Sequence, residues 1–389
     1  MAAGIFALPP PVFLDDADGL DPNLILADMV AAFQAASGKT LQPAQVERLL
    51  INLYAYRESL IRNAIQYVGQ QNLLAFAAFP MLDYLGQLLS VTRLPAQGAS
   101  TYLQFTLASP LSISYTIPAG TPVGTNDGQF VFATAGDLTI PPGGSIGSIL
   151  AVATTAGVDA DGYLAGQINV QLSPSVLIAS VSNTTISGGG ASPETDEHLR
   201  TRIQAAPNRF SVAGPEGSYR YFTLSSDPSI TDAQIVSPGP GQVSVFVLTG
   251  PISSQPGPSP NPTAVASVEL LAKVAAQLNA DNVRPLTDTV SVQPITEVDY
   301  QIAATITLYA DTDPASAMSA AQAAAQKYAL ALASRIQRDI VPSQIIETLS
   351  VPGVYQVSLS SPGYTQLQSG QWANCVGITL AQDTASVKS

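Results

Sequence analysis

Charge is the scarcest resource in this 389-residue chain. Asp, Glu, Lys and Arg make up 11% of it, against about 25% in an ordinary soluble domain. Hydrophobic residues stand at 46%, so uncharged polar residues and glycine fill the gap. One histidine (His198), one cysteine (Cys375) and one tryptophan (Trp372) occur. Zinc sites built from several His or Cys ligands are thereby excluded, as is an intramolecular disulfide. A Ser-His-Asp or Cys-His pair would have to use His198, which leaves simple hydrolase chemistry little room. The formal net charge is -13, so nothing draws the chain to phosphate backbones or anionic membranes, and nucleic acid is not an expected partner.

No run of about 20 apolar residues occurs, so no bilayer-spanning helix and no membrane insertion are expected. Met1 to Leu14 is apolar but lacks a basic residue and is interrupted by Pro9, Pro10 and Pro11; a secretory signal is not expected there. These features lead to the expectation of a soluble cytoplasmic product.

What is present begins with helices. Leu24–Ala36 is free of breakers and runs into Ser37-Gly38, a helix stop. After Pro43, Val46, Leu49, Leu53, Tyr56, Leu60 and Tyr67 recur at steps of three, four and seven, with Leu50, Tyr54, Ile61, Ile65 and Val68 beside them. That doubled stripe is wider than a coiled-coil seam and calls for two neighbours. Glu47, Arg48, Arg57, Glu58 and Arg62 are assigned to the remaining face, with Glu58 and Arg62 an i,i+4 pair. The pattern fits an intramolecular bundle and packing on another subunit equally well. Leu73–Leu89 reads as a third helix, kinked or split at Pro80.

From Ala99 to Ile186 short β segments alternate with Gly/Pro turns, as in a sandwich or barrel. Tyr102, Phe105 and Leu107, then Tyr115 and Ile117, Phe130–Phe132, Leu138 and Ile140, and Ile146 to Val158 carry them. Ser192-Pro193-Glu194-Thr195-Asp196-Glu197 opens a helix that runs to about Pro207, with Ser192 or Thr195 as its cap. Tyr219–Leu224 is a short helix, and Asp232–Val236 and Val243–Leu248 form a hairpin. Pro251–Pro262 is an exposed loop and Thr263–Leu278 a helix. Strands Val290–Val292 and Val298–Leu308, helices Ala315–Ile336 and Pro342–Leu349, and strands Val354–Leu359 and Val376–Leu380 complete the chain; the tail beyond Gln382 has no apolar period. The fold class is α+β and multi-domain: an N-terminal helical bundle segment (1–94), a central β-rich domain (95–190), and C-terminal α+β regions (191–300 and 301–389).

Candidate sites fare poorly. His198 sits among Glu194, Glu197 and Arg202 and is expected to face solvent; Cys375 is expected at the start of an apolar strand, as a small buried side chain. Asp15 to Asp21, Asp159 with Asp161, and Asp311 with Asp313 are acidic clusters. The Asp159 run lacks the distal Glu of a calcium loop, and Asp311 and Asp313 suit a helix start before Pro314. Gly188-Gly189-Gly190 and Gly239 with Gly241 lack the Lys and the strand–helix setting of a phosphate loop. No metal, cofactor or catalytic constellation survives. A charge-poor, multi-module chain suits a large assembly, because weakly charged surfaces cost less to desolvate.

Four ordered motifs then carry a family resemblance: Ile117-Pro118-Ala119-Gly120-Thr121; Gly188-Gly189 followed by Glu194-Thr195-Asp196-Glu197-His198-Leu199-Arg200-Thr201-Arg202-Ile203; Gly214-Pro215-Glu216-Gly217-Ser218-Tyr219; and Val283-Arg284-Pro285-Leu286-Thr287-Asp288. In this order the chain resembles the baseplate J-like family of contractile phage tails and related injection machines, with His198 where the family carries an acidic residue. The resemblance implies a non-enzymatic baseplate wedge subunit, located in the virion tail baseplate after assembly in the host cytoplasm. It implies as partners a second copy of itself, other wedge and hub proteins, and neighbouring wedges, in a ring that rearranges to trigger sheath contraction. Val46, Leu49, Leu53, Tyr56, Leu60 and Tyr67 would then be intersubunit core. The competing expectation is a virion-borne or secreted carbohydrate-binding or glycan-hydrolysing protein acting through Asp159 or Asp161, a reading weakened by the single Trp372.

Overall fold

A computed structural model describes residues 9–13, 20–210, 214–250, 264–281 and 283–383. The acidic run Asp15 to Asp18, the loop Pro251–Pro262 and nearly all of the tail lie outside them. The chain divides into two compact units, one of Met1–Thr92 with Leu199–Gln204, the other of Arg93–His198 with Ala205–Ser389.

The first unit opens with α1 (Pro22–Ser37). Asp21 caps it by accepting from the Asn23 amide at 2.8 Å, and Gly38 closes it in the left-handed conformation. Helix α2 (Val46–Gln71) follows and packs on α1, whose Ile25 and Val30 are buried. The third helix is shorter than the sequence implies: α3 is Met81–Leu88, while Leu73–Phe76 is a series of turns. The reason lies in Arg200, a buried side chain whose Nε and Nη2 donate to the Leu74 and Ala77 carbonyls at 2.7 and 2.6 Å. A guanidinium that satisfies those carbonyls removes the need for helical bonds there. Arg202 does the same for Thr92 O, at 3.2 Å.

In the second unit, β1 (Ser100–Leu107), β2 (Tyr115–Ile117), β3 (Pro122–Thr125), β4 (Val131–Thr134), β5 (Leu138–Ile140), β6 (Ile146–Ala153), β7 (Ile168–Gln171) and β8 (Ile178–Asn183) build the β-rich part. Six form an antiparallel sheet in the order β7-β3-β4-β6-β1-β8, and β2 pairs with β5. The alternation of β1 sends Leu103, Phe105 and Leu107 inward beside Ile117, Phe132, Ile140 and Ile168. The sheet nearly closes on itself. Its outer strands β7 and β8 are joined by buried Asn183, whose Oδ1 accepts from the Ile168 amide at 2.9 Å while Nδ2 donates to Leu164 O and Thr185 O. The Pro118–Thr121 turn is held by Asp137, which accepts from the Ala119 amide at 2.7 Å, and by Thr134, which donates to Pro118 O at 2.9 Å.

Helix α4 (Asp196–Ala205) is capped by Thr195, which accepts from the His198 amide at 3.3 Å. Beyond it come α5 (Glu216–Leu224), the hairpin β9 (Ile230–Gly239) and β10 (Gln242–Thr249), α6 (Val268–Leu278) and β11 (Thr289–Pro294), with β11 parallel to β10. Helix α6 starts later than expected because Ser267 caps it, while Val265 pairs with Leu248 instead. A second three-stranded sheet holds β12 (Thr296–Leu308) between β13 (Val354–Ser361) and a parallel β14 (Gln371–Gln382). Helices α7 (Pro314–Ala333) and α8 (Pro342–Leu349) cover it, with Asp313 capping α7 through the Ser316 amide at 3.0 Å. Ala317, Ala321, Ala325 and Ala329 form a small-residue row that lets α7 approach the sheet.

The two sheet layers are joined by buried polar groups. Asp232 of β9 accepts from Arg220 Nη2 at 2.5 Å and from the Ile336 amide at 2.9 Å. Gln234 accepts from the Gly370 amide at 2.7 Å and donates to Gln337. Trp372, 1% exposed, packs with Leu248, Ile295 and Ile336 and donates its indole N–H to Ala333 O at 2.7 Å.

Asn183→Leu should strand the Ile168 amide and two carbonyls, lowering stability by about 1–3 kcal/mol. Urea denaturation, with amide exchange followed in 164–171, checks this; unchanged exchange there would mean that the seam is held by other groups.

Candidate interaction surface

Helix α2 has 26 residues, about 39 Å at 1.5 Å per residue. Stepping along it at about 100° per residue places Arg48, Ile51, Ala55, Glu58, Ser59, Arg62, Gln66 and Gly69 on one side. That is the side the unit covers: Ala55, Ser59 and Gln66 are buried, and Arg48, Ile51, Glu58, Arg62 and Gly69 are partly so. Ala55 and Ser59 allow close packing, and Gln66 is consumed by the N-terminal segment. Its Oε1 accepts from the Phe13 amide at 2.9 Å and its Nε2 donates to Pro11 O at 2.6 Å. Gly69 lies under the Phe13 ring, where a Cβ would come within 2.5 Å of Cδ2. Glu58 and Arg62 form the expected pair at 2.9 Å.

The apolar stripe is on the other side, and it is open. Val46, Leu49, Leu53, Tyr56, Leu60 and Tyr67 are 44–69% exposed, and so in similar measure are Leu50, Tyr54, Ile61, Ile65 and Val68. Arg48, Glu58 and Arg62 lie on the face away from the stripe, as the sequence assigns them, and that face is the covered one. Arg57 departs from that assignment. It is exposed in the middle of the oily arc, with Leu53, Tyr54, Leu60 and Ile61 three and four positions away. Phe79, Met81, Tyr84 and Leu88 are exposed in the same unit. Periodicity could reveal that an apolar face exists; the arc containing Arg57 could also have been found by projecting every residue of the helix, charged ones included.

The other sequence candidates are structural. His198 does not face solvent: its side chain is 12% exposed and its Nδ1 lies 2.6 Å from Glu194 Oε1. The second Glu194 oxygen accepts from the Leu94 amide at 2.8 Å, and Arg93 bonds Glu194 O and Asp196 Oδ1 at 2.6 and 2.7 Å. The Glu194–Arg202 motif therefore holds chain segments together. Cys375 lies within β14 rather than at its start, half-buried, and burial raises its thiol above the ordinary range, which disfavours the thiolate. Asp161 accepts from the Gly190 amide at 2.9 Å, and burial raises its carboxyl. Asp127, across a concavity of about 290 Å³ that Asp159 also lines, is held below its ordinary range by the Thr125 hydroxyl and the Gln129 amide. Asp161 thus ties its loop to Gly190 beyond β8, and Asp127 bonds within its own turn and accepts from the Tyr163 hydroxyl at 2.9 Å. Among the described residues no group of three or more His, Cys, Asp or Glu is placed to hold a metal, and no helix is long and apolar enough to cross a membrane.

The third and fourth motifs meet. The Tyr219 hydroxyl donates to Asp288 Oδ2 at 2.7 Å, and burial with that carboxylate raises the phenol far above its ordinary value. Gly214, at φ 70°, abuts the same carboxylate, leaving no room for a Cβ. Arg284 closes the turn on Asp288 O at 2.6 Å, and Leu286 at its tip is 99% exposed.

Three domain descriptions match in series. They are the Baseplate J-like protein barrel domain over 102–190, the Baseplate J-like central domain over 211–294 and the Baseplate J-like protein C-terminal domain over 300–381. Baseplate protein J of Escherichia phage P2 is 37% identical over 187 residues, 48% of this chain and 58% of that protein's length. The cryo-EM structure of the anti-feeding prophage (AFP) baseplate, 6-fold symmetrised, contains a chain with 16% identity and a TM-score of 0.40, covering 92% of this chain and 90% of that one.

Replacing exposed Leu53 and Leu60 together by Ser should change stability by no more than about 0.5 kcal/mol per site. Ala55→Leu, against α1, should cost about 1–3 kcal/mol. Denaturant midpoints of the purified chain check both, and a double-Ser variant as damaged as Ala55→Leu would show that the stripe is internal core.

Proposed function

Since the chain belongs to the baseplate J-like family, we propose that it is a structural subunit of a contractile-tail baseplate, located in the virion tail baseplate. The observation that carries this reading is the open apolar face of α2. Free monomers rarely expose so continuous an apolar strip, and such strips mark protein–protein interfaces. The side chains from Val46 to Tyr67 supply the hydrophobic contribution once another chain covers them, at about 25 cal/mol for each Å² removed from water.

In this reading the chain is a wedge component. Its α2 helix joins a helical core bundle with other wedge proteins, a second copy of the chain among them. The α+β part, from α5 to β14, meets neighbouring wedges and helps close a ring. Triggering rearranges subunit contacts together, as in other interface-driven transitions. The joined sheets around Asp232 and Trp372 support this mechanical role, because buried, fully paired polar groups hold the two layers as one body. No residue is assigned to catalysis. Trp372 is buried and Asp161 is engaged by the Gly190 amide beyond β8, so neither supports a glycan site.

Leu53→Asp or Leu60→Asp should leave the β-rich and C-terminal parts folded while abolishing co-assembly. Co-purification from cells expressing the full set of tail genes measures this. Normal assembly of both charged variants would refute the bundle.

A further inference from the structure

The exposed face of α2 is apolar except at its centre. Arg57 lies there, ringed by Leu53, Tyr54, Leu60 and Ile61, which are all exposed. None of the positions three or four residues away carries a carboxylate, so the helix supplies no intrahelical ion pair for it. Glu58, the adjacent acid, points to the covered side and is paired with Arg62 at 2.9 Å. While the face is open, the Arg57 stem lies along oily neighbours and its guanidinium stays hydrated. Once a partner covers the face, that guanidinium leaves water, and a desolvated cation is tolerated only when an anion with good geometry meets it.

A second α2 helix in either centred register does not by itself meet this need. In a parallel pair the two Arg57 side chains are level. In an antiparallel pair centred on the helix, between Glu58 and Ser59, they are only about 4–5 Å apart along the axis at 1.5 Å per residue. Either pairing brings like charges together in a drying interface. A single polar residue inside an apolar seam is a known device for fixing partner and register.

We propose that the occupant of the α2 face is an amphipathic helix of a different protein, carrying an Asp or Glu at the centre of its own apolar stripe and pairing with Arg57. The proposal rests on the reading of α2 as an intersubunit element.

The chain itself provides the probe. Wild type, Arg57→Glu and an equimolar mixture of the two are compared by sedimentation velocity at equal total concentration. Each alone is expected to show no α2-dependent dimer, because like charges meet. The mixture is expected to form heterodimers at least about tenfold tighter, and Leu53→Asp in either partner abolishes them. A wild-type dimer that Leu53→Asp removes would make a second copy the natural occupant and overturn the proposal. So would a mixture that associates no better than its parts. Co-assembly separates this from the broader reading. If Leu53→Asp blocks co-assembly while Arg57→Glu leaves it intact, the intersubunit helix stands and the acidic partner falls; loss with Arg57→Glu and retention with Arg57→Lys supports the pair.

Discussion

Gln66 and Ala55 fix the orientation of α2. The amide side chain is clamped between the Pro11 carbonyl and the Phe13 amide, and the small side chain lets α1 come close. A helix presents a limited circumference, and here the covered part is taken by small, polar and half-buried charged groups. Rotating α2 to bury its leucines would break both Gln66 bonds and push the Glu58–Arg62 pair away from its half-covered position. Those losses are local and specific, whereas the gain is a generic apolar contact that another chain can equally supply. The whole reading of the surface depends on this rotational setting.

The motifs with the strongest resemblance turn out to be joinery. Glu194 pairs with His198 and accepts from the Leu94 amide, Arg200 and Arg202 donate to backbone carbonyls, and Tyr219 donates to Asp288 where Gly214 leaves room. Each places a charged or polar group where backbone leaves regular structure and needs partners. In an enzyme, charged groups in strongly patterned motifs commonly converge on a pocket; here they converge on chain crossings. In this chain the motifs are fastenings.

Much of this architecture was legible in the residues. Asp313-Pro314 with the alanine row and the three-and-four spacing of α2 each combine a local signal with a period, and both helices appear; the hairpin also appears, but β9 runs on through Ser237–Gly239 and the turn narrows to Pro240-Gly241. The short strands β3 and β7 had no such support: Pro122 starts β3 and β7 has four residues, so their pairing is a tertiary matter. The unwinding of Leu73–Phe76 depends on Arg200, more than a hundred residues away, which no local window contains. The charged neighbours of His198 suggest a solvent-facing ring, but Glu194 and Arg202 are buried and Glu194 engages it. For the candidate surface, the stripe was visible and its covering was not, since periodicity reports a face without naming what lies against it. Arg57 falls inside the apolar arc because its position three and four residues from Leu53, Tyr54, Leu60 and Ile61 sets its direction regardless of its charge.

The Asp232 joint has a consequence for how load travels. A carboxylate that accepts from a guanidinium on one side and from the Ile336 amide on the other cannot slip by a fraction of an ångström without forfeiting a charge-assisted bond in a dry setting. With Trp372 plugging the same seam, the central and C-terminal sheets behave as a weld, not a hinge. Load applied at β14 would be shared with β9 and α5 through this joint.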